Sequence, residues 1–87
     1  MKHIVAIYDM DAKYYQDPRF INDMGEAVRS FINIAGDPDN PMSKNPESYC
    51  LFKVGMYDQQ TGEIIPENPT KILGLWETGG QTKEEQH

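Results

Sequence analysis

The sequence predicts an α+β domain: an antiparallel sheet of three to four strands with one helix packed on one face, in the order β-α-β-β-β. Three observations predict it. From Tyr49 to Ile65, β-branched and aromatic residues enter a turn at Asp58 and leave it at Glu63, as a hairpin does. Between Met24 and Ala35 apolar residues recur at helical spacing. A short apolar run, Ile4 to Tyr8, precedes both and has the length of a strand.

The first strand carries Ile4, Ala6 and Tyr8 on one side and Val5 and Ile7 on the other. Apolar residues on both sides indicate a strand covered on both faces, central in its sheet. Asp9 to Phe20 reads as a polar connection, in which Pro18 argues against a helix. Its aspartates (Asp9, Asp11 and Asp17) lack the glycine and the twelfth-position acid of a calcium loop, so no metal site is expected.

The helix is expected over Asn22 to Ala35. Asn22 or Asp23 caps it, and Asp23 with Glu26 has capping-box spacing. Met24, Ala27, Val28, Phe31, Ile32 and Ala35 form its apolar stripe, flanked by Ile34. Glu26, Arg29, Ser30 and Asn33 form the polar face. Gly36 stands where a C′ glycine would, and Pro38 blocks continuation. Asp37 to Ser48, with three prolines, is a stiff extended loop.

Strict alternation in the hairpin puts Cys50, Phe52, Val54 and Met56 on one face, expected to be core under the helix. Tyr49, Leu51, Lys53, Gly55 and Tyr57 fall on the other. A four-residue loop, Gln59 to Gly62, pairs Tyr57 with Ile64 and Met56 with Ile65, with Gly62 left-handed at the loop end. Pro66 makes the returning strand short or places it at an edge. Glu67 to Thr70 reads as a second turn and Lys71 to Glu77 as a last strand. Residues 1–77 form the single domain, and 78–87 a flexible tail.

A chain of 87 residues buries only roughly 60–65% of the surface its unfolded form exposes, so pairing with a second copy would add stability. The net charge of −6, from 14 acids against 8 basic side chains, opposes binding to duplex DNA and favours solubility. One cysteine, Cys50, excludes an internal disulfide and a cysteine-rich zinc site; it reads as a buried thiol, which suits a reducing cytoplasm. The N-terminal apolar run of five residues is too short for a signal peptide, and no membrane span is expected. His3 and His87 have no anchoring motif and no glycine-rich phosphate loop is present, so neither catalysis nor a cofactor is expected.

The face carrying Tyr49, Leu51, Tyr57 and Ile64 is too apolar to stay bare. A homodimer or higher homo-oligomer would cover it, as would a host or viral protein. Single-stranded nucleic acid is the sharper alternative: Tyr49 and Tyr57 would stack on bases, and Lys53, with Arg29 from the helix, would meet phosphate.

Three stretches in this order and spacing carry a resemblance: V-A-I-Y-D (5–9), N-D-M-G-E-A-V-R-S-F (22–31) followed by D-P-D-N-P (37–41), and L-F-K-V-G-M-Y-D-Q-Q-T-G-E-I (51–64). The chain resembles the small nonstructural protein of gokushovirus-type microviruses, the ORF5 (or VP5) family of single-stranded DNA phages, from about Lys2 to Leu75. The resemblance implies a phage accessory protein in the cytoplasm of the bacterial host cell. It implies DNA binding when replication switches to making and packaging single-stranded genomes. The matching positions are Tyr8, Arg29, Phe31, Phe52, Gly55, Tyr57, Asp58 and Gly62, and no established catalytic or binding residue comes with them.

Overall fold

The computed structural model describes residues 1–78. Its architecture is α+β, an open antiparallel sheet with one main helix on one face. β1 (Lys2–Asp9) is central. On one side it pairs with β4 (Tyr49–Tyr57), which pairs in turn with β5 (Ile64–Gly74). On its other side β1 carries two short strands in tandem, β2 (Tyr14–Tyr15) and β3 (Arg19–Ile21). Those two lie inside the stretch that the sequence marks as a polar connection, and they bring the sheet to five strands.

The first connection is explained by its aspartates. Asp9 Oδ1 accepts from the backbone N–H groups of Asp11 and Ala12, both at 3.0 Å, and Lys13 takes the left-handed conformation at φ 61°. That turn returns the chain against β1, so Tyr15 faces Tyr8. Asp9 is the turn acceptor here, and Asp11 Oδ2 accepts from the Ser48 hydroxyl at 2.7 Å.

α1 spans Met24–Ala35, with Asp23 as its cap; the Asp23 carboxylate accepts from the Gly25 N–H at 3.1 Å. Gly36 ends the helix at φ −91°, donating to Ile34 O, so the expected left-handed cap is replaced by a tightened last turn. Ala27 and Phe31 are buried, with Met24, Ile34 and Ala35 packed beside them. The buried stripe is therefore rotated toward Ile34, leaving Ile32, an expected core residue, 43% exposed.

The hairpin turn follows its predicted register. Tyr57 pairs with Ile64 and Met56 with Ile65. Asp58 O accepts from Gly62 N at 2.7 Å, and Gly62 has φ 79°. Beyond it the chain departs from expectation. The predicted short strand, turn and last strand are one strand, β5, that runs through Pro66 and Pro69 with register shifts opposite Lys53–Gly55 and Leu51–Phe52. Residues 75–77, expected to close that strand, are helical instead. Thr78, assigned to the tail, is buried and its hydroxyl donates to Leu75 O at 2.8 Å. The rest of the predicted tail, 79–87, lies outside the described residues.

The main correction concerns which face of β4 lies under the helix. The core is Val5, Ala27, Phe31, Leu51 and Leu75, with Tyr49 and Ile7 against it. Leu51 and Tyr49 thus face α1, while Cys50 and Phe52, expected under the helix, lie on the opposite side. Val5 pairs with Lys53 but Ile4 pairs with Gly55, so Val54 is an extra residue in β4. This bulge reverses the alternation. Before it, even-numbered residues take the open face; after it, odd-numbered ones do. Val54 and Met56 therefore leave the row that Cys50 and Phe52 begin.

Gly55 is buried at the bulge, and a Cβ built there would stand 2.6 Å from the backbone oxygen of Ile65. Gly55→Ala should therefore force β5 away and cost about 1–3 kcal/mol. Phe31→Ala should cost more, about 3–5 kcal/mol, because it empties the centre of the core. Urea denaturation of both variants checks the order; a Gly55→Ala midpoint equal to wild type would contradict the close approach.

Candidate nucleic-acid interface

Register alone sorts the residues of the open face. β1 contributes Lys2, Ile4, Ala6 and Tyr8; across from them β4 places Tyr57, Gly55, Phe52 and Cys50. β2 adds Tyr15 opposite Tyr8, and β3 adds Phe20 opposite Ile4. β5 adds Ile64, Pro66, Lys71 and Gly74. These strand positions include two lysines and no carboxylate.

The aromatic side chains meet in two groups. Tyr8 and Tyr15 have ring centroids 4.6 Å apart, and Phe52 stands edge-on to both, at 6.0 and 5.7 Å. Phe20 meets Tyr57 edge-on at 5.3 Å. Such tilted and T-shaped contacts are the arrangements that ring quadrupoles favour. The rings cover the small residues beneath them, so Ile4, Ala6 and Cys50 are buried although α1 lies on the other side of the sheet. Tyr15, Phe20 and Ile64 stay exposed, Ile64 to 61%. Trp76 continues the layer at the far end: its ring lies over Gly74, where a Cβ would overlap it, and Lys71 Nζ stands 5.1 Å from its centroid.

The predicted contact residues do not share one face. Tyr57 lies on the open face. Tyr49 and Lys53 lie on the helix side, because the Val54 bulge separates them from Tyr57. Tyr49 is half-buried, and burial, with Asp9 and Asp11 nearby, raises its hydroxyl pKa. Lys53 Nζ is 3.6 Å from Glu67 Oε1. Arg29 projects from α1, on the side of the sheet away from Tyr57. Tyr8, Tyr15, Phe20, Phe52, Lys2, Lys71 and Trp76 were not singled out as contacts. The signal for them was the apolar Ile4-Ala6-Tyr8 row, which needed a cover that the helix does not provide.

A concavity of about 520 Å³ lies on the helix side, with Val5, Ile7, Leu51, Phe31, Asp17 and Arg19 among its lining residues. Among the described residues no group of three or more His, Cys, Asp or Glu side chains is placed to hold a metal, and no helix is long and apolar enough to cross a membrane.

The family model for the phage ORF5 protein matches residues 2–78, nearly the whole described chain. The chain belongs to this phage ORF5 family. No curated protein and no solved structure matches it. The family makes this a phage protein.

Cys50 offers a check on the ring layer. Burial raises its thiol pKa, Lys71 lowers it and Glu77 raises it again. The native thiol should react with a disulfide reagent at pH 8 on the order of 100-fold more slowly than in the unfolded chain, an opening free energy of about 3 kcal/mol. Rapid labelling of folded protein would show that the rings do not cover it.

Proposed function

We propose that this phage accessory protein binds single-stranded DNA on the open sheet face, without chemistry of its own, during viral genome synthesis or packaging in the host cytoplasm. The observation that carries the reading is the aromatic layer itself. Tyr8, Tyr15, Phe52, Phe20 and Tyr57 line strand positions that hold no carboxylate. Bases of any sequence stack on such rings, each stack contributing about 1–3 kcal/mol. The layer runs from Gly74 opposite Cys50 to Ile64 opposite Tyr57, about 20 Å of strand, enough for roughly four nucleotides.

The acidic total of −6 is compatible with this reading because of where the acids sit. Asp23, Glu26, Asp37, Asp39 and Glu47 lie on the helix and its following loop, and Asp58 and Glu63 at the hairpin turn. The open face itself offers Lys2 and Lys71, with the Glu77 carboxylate reaching Lys71 from its end. With so few cations, affinity comes from stacking more than from phosphate neutralisation. That predicts a shallow salt dependence, a slope of log K against log salt of about −0.7 for each phosphate engaged.

An oligo-dT titration followed by Trp76 emission and by anisotropy tests the proposal. Binding should survive moderate salt, and Phe52→Ala or Tyr15→Ala should weaken it by about 5- to 100-fold. Arg29→Ala should leave it unchanged. A second copy of the chain is the other occupant of this face. A stable dimer by sizing, with no dT binding at low salt, would assign the rings to that interface and end the DNA reading.

A further inference from the structure

Lys71 is the better placed of the two open-face cations, opposite Phe52, yet it is already occupied. Its ammonium lies 3.2 Å from Glu77 Oε2 and over the Trp76 ring, 5.1 Å from the centroid. Glu77 is itself held, since Oε1 accepts the Gly74 N–H at 2.7 Å. The carboxylate is kept ionised by that backbone bond first and by Lys71 second. Gly74 in turn supports the indole, having no Cβ to displace it. Four consecutive residues, Gly74 to Glu77, thus fold a ring and a carboxylate back onto one lysine of their own strand.

We propose that Lys71, Trp76 and Glu77 form a latch at the end of the open face, with Glu77 restraining nucleic-acid binding there. This rests on the DNA reading above. A phosphate that takes Lys71 must displace the Glu77 carboxylate. As the ammonium swings to the phosphate it also uncovers the indole for a base. Opening therefore rewards a ligand that brings phosphate and base together, which a strand of nucleotides does and a bare polyanion does not. The ion pair is solvent-exposed, so the restraint is modest and yields to a ligand that stacks.

Glu77→Gln isolates the restraint, because the amide oxygen still accepts the Gly74 N–H while the charge is gone. Wild type and variant are titrated with oligo-dT over a series of salt concentrations. Glu77→Gln should bind about 3- to 10-fold more tightly at low salt. Its slope of log K against log salt should steepen by about 0.7, one further phosphate neutralised. Lys71→Gln introduced into Glu77→Gln should cancel both gains, so that the Glu77 substitution has no effect on affinity or slope once Lys71 is gone. Wild-type affinity and slope in Glu77→Gln, with the fold intact by circular dichroism, would overturn the latch while leaving the DNA reading in place. If neither protein binds, the DNA reading fails and the latch with it; binding by Glu77→Gln alone supports the latch. If Glu77→Gln does not fold, Glu77→Ala is titrated in its place, with wild-type affinity and slope refuting the latch.

Discussion

Val54 is one residue too many for its partner strand β1, and the architecture depends on that surplus. A strand exposes alternate residues to opposite faces, so one unpaired residue exchanges the faces for everything after it. Before the bulge, Leu51 reaches Phe31 and Val5 under the helix, and Phe52 turns outward to Tyr8. After it, Tyr57 turns outward too and meets Phe20. Had Val54 taken a place in regular pairing, Tyr57 would face the helix side, away from Phe20. Gly55 is the other half of the device, since the backbone of β5 occupies the place of its missing side chain.

Two coverings of unequal kind result. The 12-residue helix is about 18 Å long and covers only part of a nine-residue strand of about 30 Å. Its side of the sheet holds the conventional core. The other side is closed by rings lying on small residues, a thinner layer that keeps Ile4, Ala6 and Cys50 from water while its own outer surface stays wet. The same side chains therefore bear on stability and on recognition, so a loss of ligand affinity in a ring variant has meaning only beside its unfolding curve.

Much of this was legible in the sequence, and the failures have definite physical causes. The hairpin turn could be read because Asp58 and Gly62 act within a few residues of each other. The helix cap could be read from Asp23 for the same reason. The identity of the buried face could not, because a bulge is a property of pairing between strands distant in sequence, and Lys53-Val54-Gly55 gives only a glycine as a hint. The small strands β2 and β3 escaped because their turn is built by a carboxylate and a left-handed lysine, with no Asn-Gly or Gly-Gly pair to mark it. Tyr49, Lys53 and Tyr57 looked like one row for the reason the core face was inverted: both readings assumed unbroken alternation. Ile32 was misplaced by a smaller rotation, since a stripe centred on either Val28 or Ala27 satisfies the same spacing.

The prolines of β5 have a consequence beyond this chain. A proline is tolerated in a strand where its nitrogen points away from the neighbour, and β5 has a neighbour on one side only. Pro66 and Pro69 have no N–H, so at neither position can β5 donate to a further strand. The rim is interrupted at the middle of its length and cannot template an added strand through a continuous ladder. An 11-residue edge with intact donors would invite chain-on-chain growth into fibres. The two imino acids interrupt such a ladder.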